Sequence, residues 1–110
     1  MGNACGNYET VNFNYSSLKN RNWMELMKAD IKSTKLIDLI IPGSHDSGSC
    51  GIDDKEWGST IYITQKVPIF DQLLIGARYL DLRYGPGSTW DASDIKVMHQ
   101  MFKGEYLRDI

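Results

Sequence analysis

The sequence predicts an α/β fold, because segments with the apolar spacing of helices alternate with short segments that are typical of strands. Along the chain, the order is helix, strand, loop, helix, strand, turn, strand and a final helix-like segment. One strand-like segment is almost continuously apolar, which favours a buried strand in a parallel sheet. With 110 residues, the chain has room for one small domain.

The first predicted elements are a flexible lead-in, a helix and a strand. Residues 1–21 are polar and show no period, so we expect them to be flexible, and the domain is predicted over residues 22–110. Apolar residues at helical spacing predict a helix over residues 23–31, with Asn22 as its cap. Residues 36–41 are apolar at every position but one and end before Pro-Gly, which predicts a buried strand.

The rest of the chain is predicted to contain one loop, one helix, two strands and a final helix-like segment. In that order they cover residues 42–60, 65–76, 78–83, 95–98 and 102–110. Pro68 lies near the start of the second helix, where proline is tolerated. Gly76 is expected to cap its C-terminus.

The composition excludes some classes of function. A formal net charge of −2, with scattered basic residues, argues against nucleic-acid binding. Three Trp, six Tyr and three Phe are compatible with docking at a membrane surface. No apolar stretch approaches the ~20 residues of a spanning helix, and the first twenty residues contain no signal-peptide core, which predicts a cytoplasmic protein. Cys5 and Cys50 are not expected to make a disulfide scaffold.

The N-terminus resembles a site of dual acylation. Removal of Met1 would expose Gly2 for myristoylation, and Cys5 is placed for palmitoylation. Two acyl chains together would hold the protein at the periphery of a membrane. Gly6 departs from the usual pattern, which has Ser or Thr at this position. The alternative is an unmodified polar tail.

The candidate chemical groups lie at the ends of predicted strands. His45 follows the first strand, Arg83 ends the second, and His99 follows the third. In a parallel α/β sheet, side chains beyond the carboxyl ends of strands converge on one crevice. Asp46 and Asp81 are the nearby carboxylates that can orient the imidazoles.

Two imidazoles and one guanidinium suit the cleavage of a phosphodiester by an internal hydroxyl. One histidine accepts the proton of the attacking hydroxyl, and the other protonates the leaving alkoxide. The guanidinium binds the phosphate and offsets its developing charge. Taken singly, a loop histidine is more often structural, and a strand-end arginine is more often a surface charge. Spacing alone therefore leaves the function open.

Several motifs, in the right order, are similar to the X domain of phosphatidylinositol-specific phospholipase C. The first is Ile-Pro-Gly-Ser-His-Asp-Ser at residues 41–47, which resembles the opening signature of that family. The others are Trp23-Met24, Thr64-Gln65, Gln72-Leu73, the block Gly-Ala-Arg-Tyr-Leu-Asp-Leu-Arg at residues 76–83, and Val97-Met98-His99. The resemblance covers residues 22–110.

The resemblance implies a (β/α)₈ barrel that cleaves phosphatidylinositol to diacylglycerol and a cyclic inositol phosphate. It implies that His45 is the general base, that His99 is the general acid and that Asp46 supports both. Arg83 is the implied phosphate clamp, which Asp81 orients. Metal-dependent members have an acidic residue at the position of Arg83 and bind calcium there. The chain therefore resembles the calcium-independent, bacterial-type branch, and we expect no metal or other cofactor.

Two departures from the family pattern stand out. His99 is followed by Gln100, whereas the family has a glycine soon after its second histidine. A barrel of this kind needs ~250 residues, so these 110 residues correspond to its N-terminal part. The carboxylate that pairs with the general base in the family falls after Ile110.

Two alternatives remain open at this point. A glycerophosphodiester phosphodiesterase also uses two histidines in a barrel, but it would want an acidic metal-binding pair where Arg83 stands. A truncated, non-catalytic relative that binds lipid or membrane is the other alternative. An inositol phospholipid and a membrane surface are the expected partners.

Overall fold

A computed structural model describes residue 18 and residues 20–109. Gly2 and Cys5, the predicted acylation positions, lie outside the described residues, as does most of the predicted lead-in. In the part of the chain that is described, no helix has the length and apolar character needed to cross a bilayer.

The first helical segment consists of two short helices. Helix α1 is Trp23–Leu26 and helix α2 is Lys28–Ile31. The predicted helix is confirmed in position, but it is interrupted at Met27, where φ is −95° and ψ is 9°. The indole Nε1 of Trp23 donates to the carbonyl of Gly76 at 2.9 Å. That bond ties α1 to the end of the third helix.

The predicted buried strand at residues 36–41 is wrong. Leu36–Asp38 form a 3₁₀ turn, and Leu36, Ile37 and Ile40 are 75%, 88% and 98% exposed. Strand β1 comes later and contains only Gly43–Ser44. An apolar segment becomes a buried strand only where other elements pack over it. Among the described residues, these three side chains are left uncovered.

Strand β1 pairs with a short strand from the second predicted block. Strand β2 is Tyr79–Leu80, and it lies parallel to β1, with Gly43 opposite Tyr79 and Ser44 opposite Leu80. A parallel pairing was predicted and is present, but β1 lies in the predicted loop, after residues 36–41, and β2 is shorter than the six residues predicted. The backbone contact continues past the strands, because Ser47 N–H donates to the carbonyl of Asp81 at 2.9 Å.

The helix between these strands, α3, is Ile69–Leu74. Pro68 occupies its N-cap position, and Gly76 follows it with φ of +116°, a conformation that favours glycine. The predicted cap is confirmed. Gln72, only 2% exposed, fixes the helix against β1: its Nε2 donates to the carbonyl of Ser47, and its Oε1 accepts from the hydroxyl of Ser44.

The second sheet has three antiparallel strands. Strand β3 is Tyr84–Pro86, β4 is Ile95–His99 and β5 is Phe102–Tyr106, in that spatial order. The predicted third strand is confirmed as β4. The helix-like assignment of residues 102–110 is wrong, because this stretch is β5 followed by the 3₁₀ turn Leu107–Asp109. A tight turn with Gln100 at φ +57° returns the chain along β4.

A small core joins the loop after β1 to the second sheet. The buried apolar residues among those described are Cys50, Ile52, Ile69, Val97 and Phe102. A Cβ at Gly48 would lie 2.6 Å from Val97, so only glycine allows this approach. Cys50 is disulfide-bonded, a bond that the sequence analysis did not predict.

The described residues therefore form a mixed α/β structure with two small sheets. The predicted α/β class is confirmed at this level. These residues do not close into a barrel. This arrangement places the loop after β1, the end of β2 and the end of β4 next to one another, where the candidate site residues lie.

Candidate functional site

His45 lies in the turn directly after β1, with its ring between two carboxylates. Its Nδ1 lies 3.1 Å from Oδ2 of Asp81, and its Nε2 lies 3.3 Å from Oδ2 of Asp46. The side chain is 63% exposed, so a ligand in solution can reach the ring. Each ring nitrogen therefore faces a carboxylate, and one terminal nitrogen of Arg83 also lies 3.4 Å from Nδ1.

Asp46 is the buried centre of the site. Its side chain is 2% exposed, and its backbone adopts the left-handed conformation with φ of +46°. Oδ1 lies 2.8 Å from Nε of Arg83, and Oδ2 lies 3.0 Å from Nδ1 of His99. Neither oxygen makes a hydrogen bond of good angular geometry, although both distances are those of close ion pairs. We therefore treat the carboxylate as held by charge, in a position where burial strengthens such contacts.

Arg83 and Asp81 form a well-aligned pair beside Asp46. The Nε and one terminal nitrogen of Arg83 donate to the two oxygens of Asp81, at 3.3 Å and 3.0 Å. These bonds, followed by one from the backbone N–H of Asp46, lower the pKa of Asp81. In turn, the hydrogen bond with Asp81 raises the pKa of Arg83. The pair is therefore charged at neutral pH, with Arg83 44% exposed and open to a ligand.

His99 is the last residue of β4 and the more buried histidine, at 14% exposed. Its Nδ1 lies 3.0 Å from Asp46 Oδ2 and 2.9 Å from the carbonyl of Tyr62. Because both neighbours are acceptors, Nδ1 carries a proton. The Tyr62 ring packs edge-on against the imidazole, with centroids 5.2 Å apart. These contacts fix the ring and leave Nε2 as the nitrogen that exchanges a proton.

The structure brings together all five residues that the sequence singled out: His45, Asp46, Asp81, Arg83 and His99. The two imidazoles lie 6.4 Å apart and nearly perpendicular, at 87°. The route to this arrangement differs from the prediction in one respect. His99 comes from an antiparallel strand of the second sheet, so it does not reach the site as the carboxyl end of a parallel strand.

Sequence reasoning missed two kinds of contact. The carbonyl of Tyr62 is a backbone group, and no residue type signals it. Thr64 and Gln65 were noted only as part of a motif, yet the hydroxyl of Thr64 and Nε2 of Gln65 both donate to the carbonyl of His45, at 3.0 Å and 2.6 Å. Their polar character next to an apolar stretch was the available signal.

An open pocket of about 390 Å³ lies on one side of His45. Residues 42–45, Gln65, Gln72 and residues 75–77 form part of its wall. The pocket joins the exposed imidazole to a partly apolar surface along β1. Within the described residues, no three His, Cys, Asp or Glu side chains are arranged to hold a metal ion.

Curated relatives are found over most of the chain. PI-PLC X domain-containing protein 2 of Mus musculus is 29% identical over 129 aligned residues, which is 93% of this chain. A PI-PLC X domain-containing protein of Dictyostelium discoideum is 33% identical over 81% of the chain. PI-PLC X domain-containing protein 2 of Homo sapiens is 26% identical over 93% of the chain.

The chain spans 36%, 18% and 40% of the length of these relatives, in the same order. No family model matches the sequence. No solved structure matches it either.

Proposed function

The chain is a relative of the PI-PLC X domain-containing proteins over most of its length, and from this premise we propose that it carries the catalytic residues of a phospholipase C-like phosphodiesterase. The proposed substrate is an inositol phospholipid. The products are diacylglycerol and a cyclic inositol phosphate. The observation that carries the proposal is the buried carboxylate of Asp46, which contacts both histidines and Arg83.

His45 is the general base. In the tautomer proposed for catalysis, Nδ1–H is directed at Asp81 and the lone pair of the neutral ring is on Nε2. This nitrogen takes the proton of the inositol hydroxyl as that oxygen attacks phosphorus. The protonated ring then has an N–H that faces Asp46 Oδ2, 3.3 Å away. Asp46 therefore stabilises the imidazolium that the first proton transfer creates.

His99 is the general acid. The P–O bond to diacylglycerol breaks as the new P–O bond to the ring hydroxyl forms, and the departing alkoxide requires a proton. The imidazolium of His99 supplies it from Nε2, because Nδ1 is engaged by Asp46 and by the carbonyl of Tyr62. Asp46 thus stabilises the charged form of each histidine in turn.

Arg83 binds the phosphate. Its contacts with Asp46, Asp81 and His45 involve Nε and one terminal nitrogen, and the other terminal nitrogen carries two further donors that can bind a phosphate. A guanidinium held in this way stabilises the charge that develops on the non-bridging oxygens.

We propose that the reaction needs no calcium. The guanidinium of Arg83 lies between the carboxylates of Asp46 and Asp81, at 2.8 Å and 3.0 Å. A divalent cation bound to the same carboxylates would lie directly beside this permanent positive charge. The residues present therefore do not fit a calcium site, and Arg83 serves as the fixed cation in its place.

The remaining parts of the proposal concern the whole protein. The parallel pair of β1 and β2 is proposed to belong to the N-terminal part of a (β/α)₈ barrel, of which residues outside this chain supply other strands and most of the inositol pocket. A protein held at the membrane surface by an acyl chain on Gly2 would meet its substrate there. The greater length of the relatives supports the proposal that further strands lie outside this chain.

The test is turnover of phosphatidylinositol vesicles by the longest polypeptide that the reading frame encodes, with excess chelator present. We expect a cyclic inositol phosphate, visible by ³¹P NMR. His45→Ala should abolish its formation, whereas Lys32→Ala, an exposed change in another part of the chain, should not. Vesicle binding without turnover would favour the non-catalytic alternative, and strict dependence on calcium would exclude the role given to Arg83.

A further inference from the structure

The peptide group between His45 and Asp46 is held on both sides. Its carbonyl, which belongs to His45, accepts hydrogen bonds from Thr64 Oγ1 at 3.0 Å and from Gln65 Nε2 at 2.6 Å. Its N–H, which belongs to Asp46, donates to Asp81 Oδ2 at 3.1 Å. One planar unit thus joins the two central residues of the site, and side chains from two other segments fix its orientation.

Fixing this plane determines the direction of two side chains. A peptide group is rigid, so its orientation sets ψ of His45 and φ of Asp46 together. Asp46 has φ of +46°, a conformation that non-glycine residues rarely adopt and that needs support from its surroundings. If the carbonyl turned away from Thr64 and Gln65, the carboxylate of Asp46 and the ring of His45 would both move.

The hydroxyl of Ser49 makes hydrogen bonds to Thr64 and Gln65, and the donor of each bond can be assigned. The hydroxyl oxygen of Ser49, which is 1% exposed, accepts from the backbone N–H groups of Thr64 and Gln65, at 3.1 Å each. Both of its lone pairs are then used, so its own proton goes to Thr64 Oγ1, 2.9 Å away. Thr64 in turn gives its proton to the carbonyl of His45. Ser49 therefore anchors the pair of donors.

We propose that Thr64 and Gln65 are positioning residues that orient His45 and Asp46 for proton transfer. That they assist proton transfer rests on the proposed function. That they orient His45 and Asp46 does not depend on it. The two donors contact neither Arg83 nor His99 in any hydrogen bond of the described residues. Their loss should therefore disturb proton transfer more than phosphate binding.

The experiment compares Thr64→Val/Gln65→Leu with wild type in the longest polypeptide of the reading frame. This double variant keeps the approximate shape of both side chains and removes both donors. Thr64→Ser keeps the hydroxyl and serves as the rescue variant. Thr60→Val is the matched control, because Thr60 is an exposed threonine of the preceding 3₁₀ turn.

In turnover, we expect the double variant to lose on the order of 10-fold to 100-fold in kcat with KM within about twofold, because small misplacements of catalytic groups cost this much. Thr64→Ser and Thr60→Val should stay within about twofold of wild type in both constants. A double variant with unchanged kcat, or a kcat loss that follows a loss of folded protein in a thermal melt, would overturn the proposal.

A second measurement separates this proposal from the proposed function. The NMR chemical shift of the His45 Cε1–H, assigned by its absence in His45→Asn, reports ring environment whether or not the protein turns over phosphatidylinositol. We expect it to move in the double variant and to stay in place in Thr64→Ser and Thr60→Val. An unmoved signal in the double variant would reject the positioning role. If the wild type shows no turnover but the His45 signal moves in the double variant, only the proposed phosphodiesterase activity is rejected, and the positioning role stands.

Discussion

Oδ2 of Asp46 lies 3.0 Å from Nδ1 of His99. Asp46 belongs to the loop after β1, and His99 ends β4, so this contact joins the parallel pair of strands to the antiparallel sheet. Val97, on the same strand, packs against Gly48 of the same loop. Apolar packing therefore brings the two segments together, and the charge contact uses the proximity that packing provides.

The first prediction concerns Asp46→Asn. An amide cannot stabilise either imidazolium, and its NH₂ group would face Nδ1–H of His99 or Nε of Arg83, depending on its orientation. We expect kcat for phosphatidylinositol to fall on the order of 10³-fold or more, as for other histidine–carboxylate pairs. The measurement is steady-state kinetics in the presence of chelator. Asp38→Asn, an exposed change, is the matched control, and equal activity of the two variants would contradict the role of Asp46.

The second prediction concerns Arg83→Lys. An ammonium keeps the charge but lacks the planar fork that contacts Asp46 and Asp81 while it presents further donors to a phosphate. We expect kcat to fall on the order of 10²–10³-fold. Addition of calcium should not restore the activity of Arg83→Lys, because this substitution introduces no acidic side chain that could bind the ion. Arg108→Lys, a change at an exposed arginine, is the matched control. Full activity of Arg83→Lys would show that charge alone suffices.

The site was more predictable than the fold, and the reason is physical. His45, Asp46 and Arg83 lie in short contiguous motifs whose residue types are fixed by what they contact. The carbonyl of Tyr62, by contrast, carries no residue-type signal, although it lies 2.9 Å from His99. Backbone groups take part in sites through geometry alone, and a sequence without a structure does not report that geometry.

The two errors in the fold have separate causes. Leu36, Ile37 and Ile40 have strand-like hydrophobicity, but hydrophobicity states what a residue prefers and not which element covers it. The turn before Phe102–Tyr106 lacks the glycine or asparagine that marks most hairpins, so the sequence carries no clear hairpin signal there. Gln100 adopts the positive φ there. The alternation of buried Phe102 and exposed Lys103 was the strand signal that this turn obscured.

The third prediction concerns stability and Asp94. Its carboxylate accepts from the backbone N–H groups of Thr89 and Ser88, each at 2.6 Å, and these bonds lower its pKa well below the ordinary value of 3.8. The ionised form therefore stabilises the folded state above pH 3.8, and this contribution is lost as the pH falls through the lower folded-state pKa. We expect Asp94→Asn to lower the melting temperature at neutral pH.

The same experiment has an internal check. The difference between wild type and Asp94→Asn should shrink as the pH falls below 3.8, since both proteins then carry an uncharged group in the unfolded state. Asp91→Asn is the matched control, because among the described residues the Asp91 carboxylate accepts only from the Thr89 hydroxyl, at 3.2 Å. A difference that stays constant with pH would show that charge at Asp94 does not contribute. Thermal melts monitored by circular dichroism provide the measurement.

The last prediction concerns the 110-residue polypeptide on its own. Ile37 and Ile40 are 88% and 98% exposed, and large exposed apolar side chains favour association. Strands β1 and β2 are paired only with each other among the described residues, so each has an open edge that can pair with another chain. We expect this polypeptide to self-associate at micromolar concentration in sedimentation velocity. Ile37→Ser/Ile40→Ser should reduce the associated fraction, whereas Leu74→Ser, on the half-buried side of α3, should not. A soluble monomer with a cooperative melt would contradict the prediction, because it would mean that these surfaces are stable in water without a cover.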